Sequence, residues 1–93
     1  MKDNVRAHII VRGRVQGVFF RMETTRAADR FGVNGWVRNL ADGNVVAVME
    51  GEKKNVEALI EWCHQGPANA RVDAVDVTLE AYANEFTGFE VRY

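Results

Sequence analysis

The sequence predicts an α+β fold in which two helices cover one face of an antiparallel sheet. Two segments carry apolar residues at helical spacing, and each therefore predicts an amphipathic helix. The segments around them alternate apolar and polar residues, which predicts strands with one buried face. Their order is strand, helix, strand, strand, helix, strand, with a short extra strand at the end. This split strand-helix-strand order predicts a ferredoxin-like two-layer α/β sandwich.

The first half of the chain predicts a strand, a helix and a hairpin. Residues 5–14 alternate between apolar and mostly polar side chains, as in a half-buried strand. An apolar stripe at helical spacing runs from Phe20 to Phe31, and Gly32 stands where helices commonly end in a left-handed residue. Residues 33–39 and 45–50 predict two further strands, joined by a hairpin at Asp42-Gly43. The pattern leaves open which face of the 45–50 strand is buried.

The second half predicts a helix and two strands. Residues 53–65 carry apolar side chains at positions i, i+3, i+4 and i+7, and Gly66-Pro67 ends this helix. Residues 72–79 predict a strand whose apolar parity shifts between Ala74 and Val75, which admits a bulge. Residues 81–87 are polar and irregular. Residues 89–93 alternate again and predict the short terminal strand.

Composition is that of a single ordinary globular domain over residues 1–93. Hydrophobic residues make up 47% and charged residues 27% of the chain. The net charge is −1 and no block of like charge occurs, so we expect no nucleic-acid partner and no anionic membrane partner. Cys63 is the only cysteine, which excludes an intrachain disulfide. The sequence shows neither an apolar run of membrane-spanning length nor a secretory signal, so a cytoplasmic location is expected.

The connection between the first strand and the first helix carries the chemical signal. Gly13 and Gly17 flank a turn in which the backbone can fold tightly and successive amides can form an anion-binding nest. The amides that begin the following helix add the positive end of its dipole. Arg21 in the first helical turn can donate two parallel hydrogen bonds to a phosphate. From these residues alone, an ordinary turn with a solvated arginine remains an open alternative.

Two separated motifs resemble the signatures of the acylphosphatase family. Gly13–Arg21, which reads GRVQGVFFR, resembles the first signature, and Gly35–Asn39, which reads GWVRN, resembles the second. The resemblance covers nearly the whole chain. In that family the loop amides and one arginine cradle the phosphate, which implies phosphate binding by Arg14, Val15, Gln16, Gly17, Val18, Phe19 and Arg21. It also implies that Asn39 holds the attacking water, so that Arg21 and Asn39 are the catalytic residues.

The implied activity is metal-free hydrolysis of the carboxyl-phosphate bond, with no cofactor. Acyl phosphates release carboxylates whose conjugate acids have a pKa of about 4, so the leaving group needs no general acid. Asn39 can orient water, but an amide is too weak a base to deprotonate it. The expected partners are a small acyl phosphate as substrate and inorganic phosphate as product and inhibitor. We expect the protein to be a monomer.

Other interpretations of the sequence are less favoured. His8 and His64 have no partner nearby in sequence, so we assign neither a catalytic role, and Cys63 falls on an apolar stripe typical of a core residue. An RNA-binding sheet would need stacking aromatics, which the 45–50 strand lacks. Related domains also occur within carbamoyltransferase maturation proteins, but no second domain follows here, which favours a free-standing enzyme. A phosphate-binding regulator without turnover is the third alternative.

Overall fold

A computed structural model of the protein describes residues 3–93, and its seven elements follow the predicted order. In chain order they are β1 (Asn4–Arg14), α1 (Phe20–Phe31), β2 (Asn34–Asn39), β3 (Val45–Glu52), α2 (Lys53–Gln65), β4 (Arg71–Glu80) and β5 (Phe89–Val91). Both helices have the predicted bounds. The first helix ends as expected, because Gly32 takes a φ of 72° and its N–H caps the last turn.

The strands form one sheet in the order β4-β1-β3-β2-β5. The four long strands pair antiparallel, as predicted, whereas β5 lies parallel to β2 and makes the complete sheet mixed. The reason is topological, since β4 and β5 occupy opposite edges of the sheet. Residues 81–88 cross from one edge to the other at the end where β2 begins, so β5 has to run in the same direction as β2. The ferredoxin-like sandwich is confirmed.

The core lies between the helices and one face of the sheet. Ala7, Ile9 and Val11 of β1 are fully buried there against apolar residues of both helices. The third strand, whose facing the pattern left open, proves to be buried on both faces, because every residue of 45–50 is buried. Cys63 belongs to this core, and its burial raises the pKa of the thiol to about 12. Its prediction as a packing residue agrees with this position.

Residues 81–88 form a crossover that is fastened to the opposite face of the sheet by Glu50. This carboxylate is 2% exposed and accepts hydrogen bonds from the N–H groups of Ala83 at 2.9 Å and Glu85 at 2.8 Å. Arg6 lies 3.5 Å from the same carboxylate. Burial opposes ionisation of Glu50, but the backbone donors and Arg6 outweigh it and lower the pKa below its ordinary value.

A bulge in β4 shapes the start of the loop between β1 and α1. Arg12 lies opposite Ala74 and Gly13 lies opposite Val72, so Asp73 is an extra residue in the ladder. The sequence indicated this bulge slightly later, between Ala74 and Val75. Gly13 has a φ of 133°, and a β-carbon there would collide with the backbone of the neighbouring strand. Only glycine fits this close approach, after which the chain leaves the sheet.

Candidate active site

The loop of residues 15–19 is packed against the core by its side chains, and the amides of residues 16–19 have no backbone partner in the described chain. The side chains of Val15 and Val18 are 1% and 6% exposed and pack into the core. Gly17 and Phe19 turn the backbone with φ values of 74° and 64°. Across residues 3–93, no backbone carbonyl accepts a hydrogen bond from the amides of residues 16–19. Because α1 begins at once, these amides and the helix dipole form a positive site at the surface.

Arg21 projects from the first turn of α1 beside this loop. Its guanidinium carbon lies 5.0 Å from the centre of the Tyr93 ring, which is a cation–π distance. Within the described chain Arg21 makes no ion pair with a carboxylate. The aromatic contact therefore positions the cation without consuming its hydrogen-bond donors.

Asn39 is the last residue of β2, and the strand register brings it to the loop. It lies opposite Val45 of β3, which in turn lies opposite Val11 near the end of β1. Opposed residues of antiparallel strands point to the same face, so the Asn39 side chain lies on the helix-bearing face beside the loop. Its Oδ1 is buried and has no hydrogen-bond partner among the described residues. An unpaired buried acceptor costs about 1–3 kcal/mol, so this oxygen is a candidate for binding a ligand.

Gln16 connects the two sequence motifs through its side chain. Its Nε2 donates to the carbonyl oxygens of Leu40 at 2.7 Å and Asn44 at 2.8 Å, at the two ends of the β2–β3 hairpin. The loop is thereby bonded to the residue that follows Asn39. The sequence predicted Gln16 only as a phosphate-binding residue and gave no indication of this contact. No local pattern could have revealed it, since the partners are 24 and 28 residues away.

A cleft of about 300 Å³ brings most of the predicted site together. Its lining residues are Val15, Gly17, Phe19, Phe20, Arg21, Met22, Asn39, Val91 and Tyr93. Arg14, Gln16 and Val18 do not line it. Arg14 is exposed at the end of β1, the Val18 side chain faces the core, and the Gln16 side chain faces the hairpin. Their predicted contribution to phosphate binding rests on backbone groups.

The sequence analysis did not predict the contributions of Met22, Val91 and Tyr93 to this cleft. Met22 is an exposed apolar residue off the buried stripe of α1, which was a usable signal. Val91 and Tyr93 reach the cleft because β5 runs parallel to β2, with Val91 opposite Val37. The alternation in residues 89–93 predicted a strand, but it could not predict its partner or direction.

The remaining titratable groups lie elsewhere. Neither His8 nor His64 lines the cleft, and Nδ1 of His64 lies 3.0 Å from the carbonyl oxygen of Ile60 one turn earlier in α2. In residues 3–93 no three His, Cys, Asp or Glu side chains are grouped to hold a metal ion. Within the same residues, neither helix has the length and apolar character needed to cross a membrane.

The fold and the site together define a class of protein. It is a small α/β sandwich that brings a loop with free backbone amides, the guanidinium of Arg21 and the side-chain oxygen of Asn39 together at one end of the sheet. The acylphosphatase family model matches residues 7–91. An acylphosphatase of Syntrophus aciditrophicus is 56% identical over 88 residues, which are 95% of this chain and 92% of that protein. The chain belongs to the acylphosphatase family.

Solved structures agree with this assignment. The acylphosphatase of Bacillus subtilis superposes with a TM-score of 0.92 at 32% identity, over 96% of this chain and 99% of that one. The acylphosphatase of Coxiella burnetii gives 0.91 at 36% identity, over 97% and 94%. The predicted family, the predicted fold and the predicted enzyme class, an acylphosphatase hydrolase, are confirmed.

Proposed function

We propose that this protein hydrolyses acyl phosphates to a carboxylate and inorganic phosphate, without a metal, by orienting a water molecule on Asn39 against a phosphate held by the loop. The observation that carries the proposal is the buried Oδ1 of Asn39, which has no partner among residues 3–93 and lies in the same cleft as Arg21. A group that pays this desolvation cost in the ground state is suited to accept a hydrogen bond from a bound water.

The loop and Arg21 bind the phosphoryl group. The amides of residues 14–19 donate to its oxygens, with the dipole of α1 behind them, and Arg21 donates two parallel hydrogen bonds. Phosphoryl transfer depends mostly on positioning and charge stabilisation. Donors that are fixed before the substrate arrives stabilise the charge that spreads over the phosphoryl oxygens in the transition state.

Asn39 directs the water. Its Oδ1 accepts a hydrogen bond from the water, which turns a lone pair of the water oxygen toward phosphorus. The water oxygen forms the new bond to phosphorus while the bond to the acyl oxygen breaks, and that electron pair leaves on the carboxylate. Because an amide is a very weak base, the water proton passes to a phosphoryl oxygen of the substrate.

The leaving group explains the choice of substrate. A carboxylate departs unprotonated, since its conjugate acid has a pKa of about 4, whereas a departing alkoxide needs an acid. Among the described residues that line the cleft there is no Asp, Glu, His or Cys side chain to protonate a departing alkoxide. The cleft therefore favours acyl phosphates over alkyl and sugar phosphates.

Hydrolysis of benzoyl phosphate, followed by its loss of ultraviolet absorbance with a chelator present, tests the proposal. We expect turnover that the chelator does not change, and no detectable release of phosphate from glycerol phosphate under the same conditions. Binding of phosphate without turnover would favour the regulator interpretation instead. Loss of activity with chelator would contradict the metal-free step.

Three further expectations concern the oligomeric state of the protein, its location and its inhibition by phosphate. The protein is a monomer over a single domain of residues 1–93, it acts in the cytoplasm, and inorganic phosphate competes with the substrate. Sedimentation velocity tests the first expectation, cell fractionation the second and inhibition kinetics the third. Tight, salt-sensitive binding of single-stranded RNA would revive the nucleic-acid alternative.

A further inference from the structure

Two large apolar side chains stand exposed at the start of α1, next to the phosphate loop. Phe19 is 70% exposed and Met22 is 42% exposed, although both line the cleft that holds Arg21 and Asn39. Phe19 also takes a left-handed φ of 64°, a conformation that is unfavourable for a bulky residue. The polar site thus has an apolar border, which neither the core nor phosphate binding requires.

The same two side chains line a second cleft, of about 380 Å³, which we call the acyl cleft. Its other wall is the α2–β4 loop, through Pro67, Ala68 and Asn69. Phe19 and Met22 are common to both clefts, so the acyl cleft adjoins the phosphate site directly.

The α2–β4 loop is fastened in place beside the first turn of α1. A β-carbon on Gly66 would approach the ring of Phe20 to 2.9 Å, so the backbone of the loop lies against that ring. The N–H of Ala70 donates to the carbonyl of Pro67 at 3.0 Å and closes a tight turn. The acyl cleft is therefore formed before any ligand enters it.

The strand order places the acyl cleft opposite the proposed water. In the order β4-β1-β3-β2-β5, the phosphate loop follows β1, Asn39 ends β2 on one side, and the α2–β4 loop precedes β4 on the other. Attacking and leaving oxygens lie roughly in line through phosphorus. A water on Asn39 therefore requires the acyl oxygen to depart toward the β4 side.

We propose that the acyl group of the substrate binds in the acyl cleft, across Phe19 and Met22, and that this cleft selects substrates with neutral apolar acyl groups. The inference rests on the proposed function, because the direction of departure follows from the water on Asn39. The charges agree. Glu23 is the only ionisable side chain among the described residues that line this cleft, and it is paired with Arg26 at 2.9 Å. No cation is present there to bind a second anionic group of the substrate.

Acetyl phosphate and hexanoyl phosphate test the proposal, because their leaving carboxylates are of similar basicity and differ in apolar length. We expect the wild-type protein to show a higher kcat/KM for hexanoyl phosphate. Ala68→Trp and Asn69→Trp each fill the acyl cleft from an exposed position on the α2–β4 loop, and neither residue lines the phosphate cleft. Each variant is expected to reduce kcat/KM for hexanoyl phosphate about tenfold, and to change that for acetyl phosphate less than twofold.

Ala81→Trp is the matched control, since Ala81 is equally exposed but lies on the crossover at the other end of the sheet. It should leave both substrates unchanged. A hexanoyl-to-acetyl ratio that Ala68→Trp does not alter overturns the proposal. If a thermal melt shows that this variant is unfolded, Asn69→Trp decides by the same criterion. Equal kcat/KM for the two substrates in the wild type also overturns it, whereas a wild type inactive on both substrates refutes the proposed function itself.

Discussion

The two ends of the sheet contrast in how they treat polar groups. At the loop end, where β1 and β2 finish, the amides of residues 16–19 and Oδ1 of Asn39 are left without partners in the described chain. At the crossover end, where Arg6 and Glu50 lie, the buried carboxylate accepts from two amides, and Arg6 also bonds Glu85 at 2.8 Å. Polar groups without hydrogen-bond partners are therefore found at the end where a ligand can bind them. At the other end the polar groups are paired, and their hydrogen bonds hold the crossover that leads to β5.

The largest effect is expected at the loop end, from Arg21→Ala. This change removes the only cation lining the described cleft, so kcat/KM for benzoyl phosphate should fall about 10³-fold or more, and inhibition by inorganic phosphate should weaken strongly. Steady-state kinetics and a thermal melt measure both. Arg38→Ala is the control on the adjacent strand, since Arg38 contacts the Trp36 ring and does not line the cleft. If Arg21→Ala lowered the free energy of unfolding enough to account for the loss of activity, the loop end would serve stability as well as function, which would contradict the contrast between the two ends.

The next largest effect is expected at the crossover end, from Glu50→Ala. The substitution leaves the Ala83 and Glu85 amides and Arg6 without their buried acceptor, so we expect a loss of about 3 kcal/mol in the free energy of unfolding. Urea denaturation measures it, and Glu61→Ala on the exposed face of α2 serves as the control. Below the unfolding transition, kcat should remain close to that of the wild type. A stable Glu50→Ala variant would show that the crossover is fastened by other contacts.

A smaller effect should follow from Gln16→Leu, which separates the loop from the hairpin. The variant loses the two hydrogen bonds to Leu40 and Asn44, so the orientation of Asn39 relative to the phosphate becomes less fixed. We expect kcat to fall about tenfold with little change in KM, because misplacement affects the transition state more than ground-state binding. Gln65→Leu at the exposed end of α2 is the control. An unchanged kcat would mean that the hairpin holds Asn39 without help from the loop.

The smallest effect is a dependence of stability on pH that originates at Glu50. Its pKa is lowered in the folded protein, so its contribution is present above the unfolded value and is lost as pH falls through the folded one. We therefore expect the melting temperature to decline as pH falls below about 4.3, the ordinary glutamate value. The decline should be shallower in Glu50→Gln. Parallel profiles for the two proteins would assign the acid sensitivity to other carboxylates.

The sequence predicted the parts of the molecule that local patterns control. Helical periodicity located α1 and α2, Gly32 marked a helix end, and the Gly13–Arg21 segment identified the loop. Contacts between distant segments were not predictable in this way. Glu50 meets the crossover 33 and 35 residues later in the chain, and Tyr93 reaches Arg21 only through the parallel pairing of β5. No single segment encodes such partners, because they depend on strand order.

The site likewise has features that local motifs predicted and features that depend on contacts made after folding. The motifs predicted roles for Arg21 and Asn39, and the fold places both residues on one cleft. They could not show that the Gln16 side chain holds the hairpin, or that Val18 points into the core. In a loop of five residues, the direction of each side chain depends on which neighbours it meets after folding.

Turnover and phosphate inhibition of Asn39→Ala test the central claim most directly. If Asn39 orients the water, kcat for benzoyl phosphate should fall about 10²-fold or more while inorganic phosphate inhibits as in the wild type, since Arg21 and the loop remain intact. A kcat close to that of the wild type would contradict the account, because the unpaired oxygen at the loop end would then have no part in hydrolysis.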